Sequence, residues 1–93
     1  PAIIEAGREA DRLLPKDAKV IASYNGDTAF LYQTNRFGWP AITTDLATML
    51  GEAKNVYYVT VNFDSEANRI LVDPRHQIVE KTDKLLIVKL FAK

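Results

Sequence analysis

The order of apolar patterns along this chain predicts a small layered α/β domain: a mixed sheet of about four strands with helices packed on it. Three observations carry that prediction. A helical stripe opens the chain. Two β-branched apolar runs, Lys19 to Tyr24 and Val56 to Phe63, stand far enough apart for a helical crossover, and hence for parallel pairing of right-handed connection. Two further strand patterns at the carboxyl end flank a polar turn and predict a terminal antiparallel hairpin.

Each element has its own signal. Ile3, Gly7, Ala10 and Leu14 recur at helical spacing between charges, and Pro15 ends the pattern, so a helix is expected over residues 2 to 14. Lys19 to Tyr24 has the short, nearly continuous apolar run of a strand buried on both faces. Asn25-Gly26 breaks it with turn chemistry, and Asp27 is placed to cap a helix running through Asn35. Gly38 and Pro40 then prevent simple continuation. Thr43 or Thr44 is expected to cap the next helix, whose apolar face is Leu46, Met49, Leu50 and Ala53. After the Val56 to Phe63 strand, Asp64-Ser65-Glu66 starts a short helix that Asp73-Pro74 terminates. His76 to Glu80 and Leu85 to Phe91 form the hairpin around Lys81-Thr82-Asp83-Lys84. The expected core is Ile3, Leu14, Val20, Ile21, Leu31, Leu46, Leu50, Val59, Val61 and Val88.

The 93 residues suffice for one domain, 1–93, and 47% hydrophobic content argues against intrinsic disorder. Twelve basic residues balance twelve acidic ones. Neither sign forms a block that can follow a phosphate backbone, so nucleic acid is not an expected partner. The absence of cysteine removes disulfides, thiolate nucleophiles and zinc–thiolate sites. No run approaches the ~20 apolar residues that span a bilayer. Leu85 to Phe91 is the longest candidate and contains Lys89. Charged residues from Glu5 to Arg12 interrupt any signal-peptide core. The start at Pro1 leads us to expect a soluble piece of something longer.

The candidate site residues are Tyr24, Asn25, Asp27, Arg36 and Trp39. They follow the first strand and the helix behind it, and open α/β sheets place ligands beyond the carboxyl ends of their strands. A phosphate cradle is disfavoured: Asn25-Gly26-Asp27 has one glycine, and Asp27 competes with an anion for the helix end. Asp27 and Asp64 both follow strands and can be imagined around a magnesium or calcium ion, yet each is also explained as a helix cap. His76, the one histidine, has no partner at ligand spacing, and neither Ser23 nor Ser65 lies in a glycine-flanked elbow. Tyr24, Tyr32, Phe37 and Trp39 offer apolar faces to a sugar ring or a partner, with Asn35 and Arg36 as directional donors; Phe30 and Tyr32 are expected to be core. No catalytic residue, metal site or cofactor is assigned.

Leu14-Pro15-Lys16-Asp17-Ala18-Lys19-Val20-Ile21, Tyr24-Asn25-Gly26-Asp27, Leu31-Tyr32 and Arg36-Phe37-Gly38-Trp39 together resemble a recurring tail segment. It follows the last membrane span of bacterial membrane glycosyltransferases similar to dolichyl-phosphate-mannose-protein mannosyltransferases. The likeness extends to Val56-Tyr57-Tyr58-Val59-Thr60 and to the strand Leu85 to Leu90, with one departure at Lys54-Asn55-Val56, where such tails often carry Gly-Ala. The resemblance implies a parent enzyme that moves a sugar from a polyprenyl-phosphate carrier to an extracytoplasmic acceptor, with catalytic acids in membrane loops that have no counterpart here. It implies that this chain is the non-catalytic, C-terminal extracytoplasmic domain of an integral membrane protein. Its partners would be the membrane-embedded part of its own parent and a glycan, protein or lipid-carrier head group. The alternative is an independent small α/β enzyme or nucleotide- or metal-binding domain using Asp27 and Asp64.

Overall fold

The computed structural model describes residues 2–51 and 53–92. In chain order these form α1 (Ala2–Leu13), β1 (Lys19–Ser23), α2 (Ala29–Gln33), β2 (Phe37–Trp39), α3 (Leu46–Leu50), β3 (Val56–Thr60), α4 (Ser65–Val72), β4 (Gln77–Lys81) and β5 (Leu86–Lys89). The sheet is mixed, as expected, but has five strands in the order β2-β1-β3-β5-β4. β1 pairs in parallel with β2 on one side and with β3 on the other. β5 inserts between β3 and β4, antiparallel to both. No helix among the described residues is long and apolar enough to cross a membrane.

The additional strand is Phe37–Trp39, in the segment where glycine and proline argued only for a break. It pairs Lys19 with Phe37, Val20 with Gly38 and Ile21 with Trp39. A three-residue edge strand is held by backbone pairing more than by side-chain burial, so it carries no apolar period to read. Gly38 belongs there because a Cβ at that position would lie 1.8 Å from the Val20 carbonyl oxygen.

Side-chain alternation divides the core into two layers. Val20 and Ala22 of β1, Tyr57 and Val59 of β3 and Leu85 and Ile87 at β5 pack against Ala6, Ala10 and Leu14 of the α1 region and Phe30 of α2. On the opposite face Ile21, Val56, Tyr58, Leu86, Val88 and Leu90 meet Leu50 of α3 and Ala67 and Ile70 of α4. Six of the ten expected core residues, Leu14, Val20, Ile21, Leu50, Val59 and Val88, are buried. Ile3, Leu31, Leu46 and Val61 lie partly buried at the margins of the two layers. Tyr58, missed as core, is fully buried.

Local capping departs from expectation in two places. Asp45, rather than Thr43 or Thr44, caps α3 by accepting from the Thr48 amide at 2.9 Å and the Thr48 hydroxyl at 2.9 Å. A carboxylate accepts both donors at once, and the hydrogen bonds hold its pKa below the ordinary carboxylate value. The α3 helix ends at Leu50 rather than reaching Ala53. α2 ends at Gln33 and is stopped by Asn35 in the left-handed region, φ 56°, which asparagine tolerates better than most residues.

Gly38→Ala is expected to destabilise the domain by ~2 kcal/mol or more, because β1 and β2 must separate to admit the methyl group. Chemical denaturation of the variant measures this, and a midpoint equal to that of the parent would contradict the close approach.

Candidate functional site

The parallel pair β1 and β3 creates the feature that positions a site. From β1 the chain passes to α2 on one face of the sheet, and from β3 it passes to α4 on the other. Adjacent parallel strands whose connections leave in opposite directions open a crevice at their carboxyl ends. Its walls are the loop after β1, with Tyr24, Asn25, Gly26 and Asp27, and the loop after β3, with Asn62, Phe63 and Asp64.

The first wall is a tight turn. The Asp27 amide donates to the Tyr24 carbonyl at 2.9 Å, with Asn25 at φ 54° and Gly26 at φ 76°. Two successive left-handed residues are the signature of a type I′ turn, which favours Asn-Gly. The Asp27 carboxylate accepts from the Ala29 amide at 2.8 Å, so it serves the start of α2 as expected, though from one residue before the capping position Thr28. Asp64 does the same for α4 through the Ala67 amide at 2.9 Å. Tyr24 is half-buried, its ring tilted 56° against Phe30 with centroids 6.2 Å apart.

On the α4 face of the sheet, below these loops, lie residues that sequence spacing did not single out together. Glu66 Oε1 accepts from the Ser23 hydroxyl at 2.9 Å and from the Tyr58 hydroxyl at 2.6 Å. Burial, and then the bond to Glu66, pushes the Tyr58 phenol well above its ordinary pKa, so it remains a neutral donor. Thr60 Oγ1 donates to the Ser23 carbonyl at 2.9 Å and accepts from the Asn62 amide at 3.0 Å. Ser23 and Glu66 are separated by 43 positions, and no short motif signals such a pair. The cluster ties β1, β3 and α4 together with neutral hydroxyls on one carboxylate. Among the described residues no three His, Cys, Asp or Glu side chains are grouped to hold a metal ion.

Arg36 and Trp39 do not join this crevice. A helix that begins at the carboxyl end of β1 runs back along the sheet, so the residues following α2 arrive at the amino end. Arg36 precedes β2 there, and its side chain is only 2% exposed. It donates six hydrogen bonds: Nη2 to the Asp11 and Leu14 carbonyls, Nε to the Pro15 carbonyl, and Nη1 to the Asp11 carboxylate and the Thr34 and Asn35 carbonyls. Three of these acceptors are carbonyls at or just beyond the end of α1, where helices leave acceptors unsatisfied and favour a cation. The Asp11 carboxyl is held below its ordinary pKa, first by Arg36. Arg36 is therefore an internal brace. Trp39 is half-buried and packs on the α3–α4 face.

What the amino end does expose is aromatic. Tyr32, expected in the core, is 82% exposed, and Phe37 is 88% exposed. Together with Asn35 and Arg36 they line a shallow depression of about 360 Å³ that crosses from α2 to the β2 edge. α2 is short and turns Phe30 inward to the sheet, which leaves Tyr32, two residues on, pointing away.

His76 lies just before β4 with its side chain 2% exposed. Nδ1 accepts from the Phe91 amide at 3.1 Å, which places the neutral ring's proton on Nε2; that atom is buried, unpaired, and 3.6 Å from Asp73. With the Nδ1 lone pair accepting from the Phe91 amide and the proton on Nε2, the neutral ring offers no free lone pair to a metal. Burial lowers the His76 pKa, Asp73 opposes the shift and Arg75 adds to it. Because the folded value lies below the unfolded one, the neutral ring contributes stability that is fully present above about pH 6.5 and is lost as pH falls toward the folded value. The Asp73 carboxyl, held low chiefly by Arg75, contributes only at more acid pH. Denaturation midpoints should thus fall as pH drops below about 6.5, and His76→Gln should flatten the profile there. An unchanged slope in the variant would remove His76 as the cause.

Neither a protein-family model, nor a curated protein, nor a solved structure matches this chain, so the role of the site rests on the chemistry of its own residues.

Proposed function

We propose that this chain is a non-catalytic contact domain. Following the motif likeness of its Tyr-Asn-Gly-Asp and Arg-Phe-Gly-Trp segments, we place it at the extracytoplasmic end of a polyprenyl-phosphate-sugar-dependent membrane glycosyltransferase. There it would meet the acceptor, the carrier head group or a neighbouring loop of its parent.

The observation that supports this reading is the division of labour among side chains. At the candidate site, the groups suited to acid–base, metal or anion chemistry are committed to internal hydrogen bonds: Asp27 and Asp64 at helix starts, Glu66 under two hydroxyls, and Arg36 at the end of α1. The large side chains left facing outward at the β2 edge, Tyr32 and Phe37, are the kind that anchor associations. The same commitments weigh against an independent nucleotide- or metal-binding enzyme built on Asp27 and Asp64, since ligation would compete with the helix amides these carboxylates serve.

The test uses the membrane protein that the upstream reading frame is expected to encode as a series of apolar segments of ~20 residues each. Replacing Tyr32 and Phe37 together by serine should leave the melting of the isolated chain within ~0.5 kcal/mol of the parent, as is usual for exposed positions. Sugar transfer by the whole enzyme should fall roughly tenfold, as expected when contact anchors are lost. Full transfer activity in the double variant contradicts the contact role, and an upstream start codon with no apolar segments contradicts the membrane parent.

A further inference from the structure

We propose that the depression between Tyr32 and Phe37 is a binding site for a neutral pyranose ring. The inference deepens the contact role and rests on it. Tyr32 and Phe37 are the most exposed large apolar side chains among the described residues, and they line the same depression. Aromatic rings offer flat apolar faces, which suit a ligand with an apolar face of its own. The volume of about 360 Å³ accommodates a ring or two rather than a helix or a folded surface.

Charge narrows the class of ligand. The one ionic group in the lining is Arg36, and its guanidinium is buried and spent on six internal acceptors. No free charge in the lining is left to select a phosphate or a carboxylate. The exposed neutral polar groups of the lining are the Tyr32 hydroxyl and the Asn35 carboxamide, the latter beside the Asp11 carboxylate and held at a left-handed turn by backbone that Arg36 pins. Two aromatic faces and a neutral amide on a braced backbone fit the alternation of C–H faces and hydroxyl edges in a sugar. An extended peptide is the competing occupant, because β2 is an edge strand. Its ladder is only three residues long, too short for main-chain pairing to supply much of the affinity.

The experiment is a titration of the ¹⁵N-labelled chain, followed by amide shifts, with mannotriose, cellotriose and chitotriose in turn up to about 10 mM, a range that still detects a millimolar site. At least one of the three should shift amides of residues 32 to 38 in fast exchange. Phe37→Ala should weaken that response at least tenfold, whereas Phe63→Ala, an exposed aromatic at the opposite end of the sheet, should leave it intact. No shift with any of the three sugars, or shifts centred on the Tyr24 to Asp27 turn, overturns the proposal. So does a response to a strand-forming peptide without a response to sugar. If the Tyr32 and Phe37 double variant impairs the membrane enzyme while no sugar shifts the depression, the sugar assignment fails and the contact role stands.

Discussion

The Arg36 guanidinium is the constraint on which the amino end of this fold depends. Each of its N–H vectors finds an oxygen, and the acceptors come from the end of α1, from the segment leading into β1 and from the turn between α2 and β2. A planar fork is suited to such a task because it satisfies several divergent carbonyls without reorganising, which an ammonium cannot do. The brace sets where α1 ends relative to β2. Beside it, Gly7 allows α1 and α2 to touch, since a Cβ there would come 2.5 Å from the Gln33 Cβ. The two contacts fix α2 on the sheet, and α2 in turn fixes both ends of its own segment: the Asn25-Gly26 turn above and the Asn35 turn below.

From this arrangement follows the separation of the molecule's two surfaces. At the ends of β1 and β3 the Ser23 and Tyr58 hydroxyls share the Glu66 carboxylate and the Thr60 hydroxyl donates to the Ser23 carbonyl, which knits three elements together. Satisfied buried networks rigidify, and they offer little to a ligand without first being broken. The β2 edge is the reverse: its polar groups are tied down beneath, and its aromatic side chains stand out. At the other edge, β4 pairs with β5 through a register shift between Ile78 and Glu80 and leaves Ile78 and Val79 partly exposed. Irregularity of this kind on an edge strand blunts pairing with further strands.

How much of this was legible in the sequence depended on whether side-chain pattern or backbone geometry made the element. β1, β3 and β5 carry dense apolar runs because both faces of the sheet are covered, and α1 and α4 carry helical stripes ended by proline-containing signals. These could be read directly. β2 could not, because its pairing needs a residue without a Cβ rather than an apolar period. The candidate residues divided in the same manner. Tyr24, Asn25 and Asp27 lie at the strand end where turn chemistry placed them. Arg36 and Trp39 were assigned to that end because they are close in sequence, but the return of α2 along the sheet carries Arg36 to the opposite end, where it is buried. Tyr32 was expected inside on aromatic character alone, and only the phase of a five-residue helix turns it outward. The Ser23, Tyr58 and Glu66 cluster depends on register between β1 and β3 and on the docking of α4, neither of which leaves a local trace.

Arg36 is an internal brace, and the contact role is proposed for its aromatic neighbours instead. Equilibrium unfolding of Arg36→Ala and Arg36→Lys tests the brace most directly. Arg36→Ala should cost ~3 kcal/mol or more, because a buried, multiply bonded charge is removed and its acceptors are left unpaired. Arg36→Lys should recover little of that loss, since one ammonium cannot reach the α1 carbonyls and the α2–β2 turn together. Unfolding of Arg36→Ala within ~0.5 kcal/mol of the parent would contradict the account and return Arg36 to the surface as a contact residue.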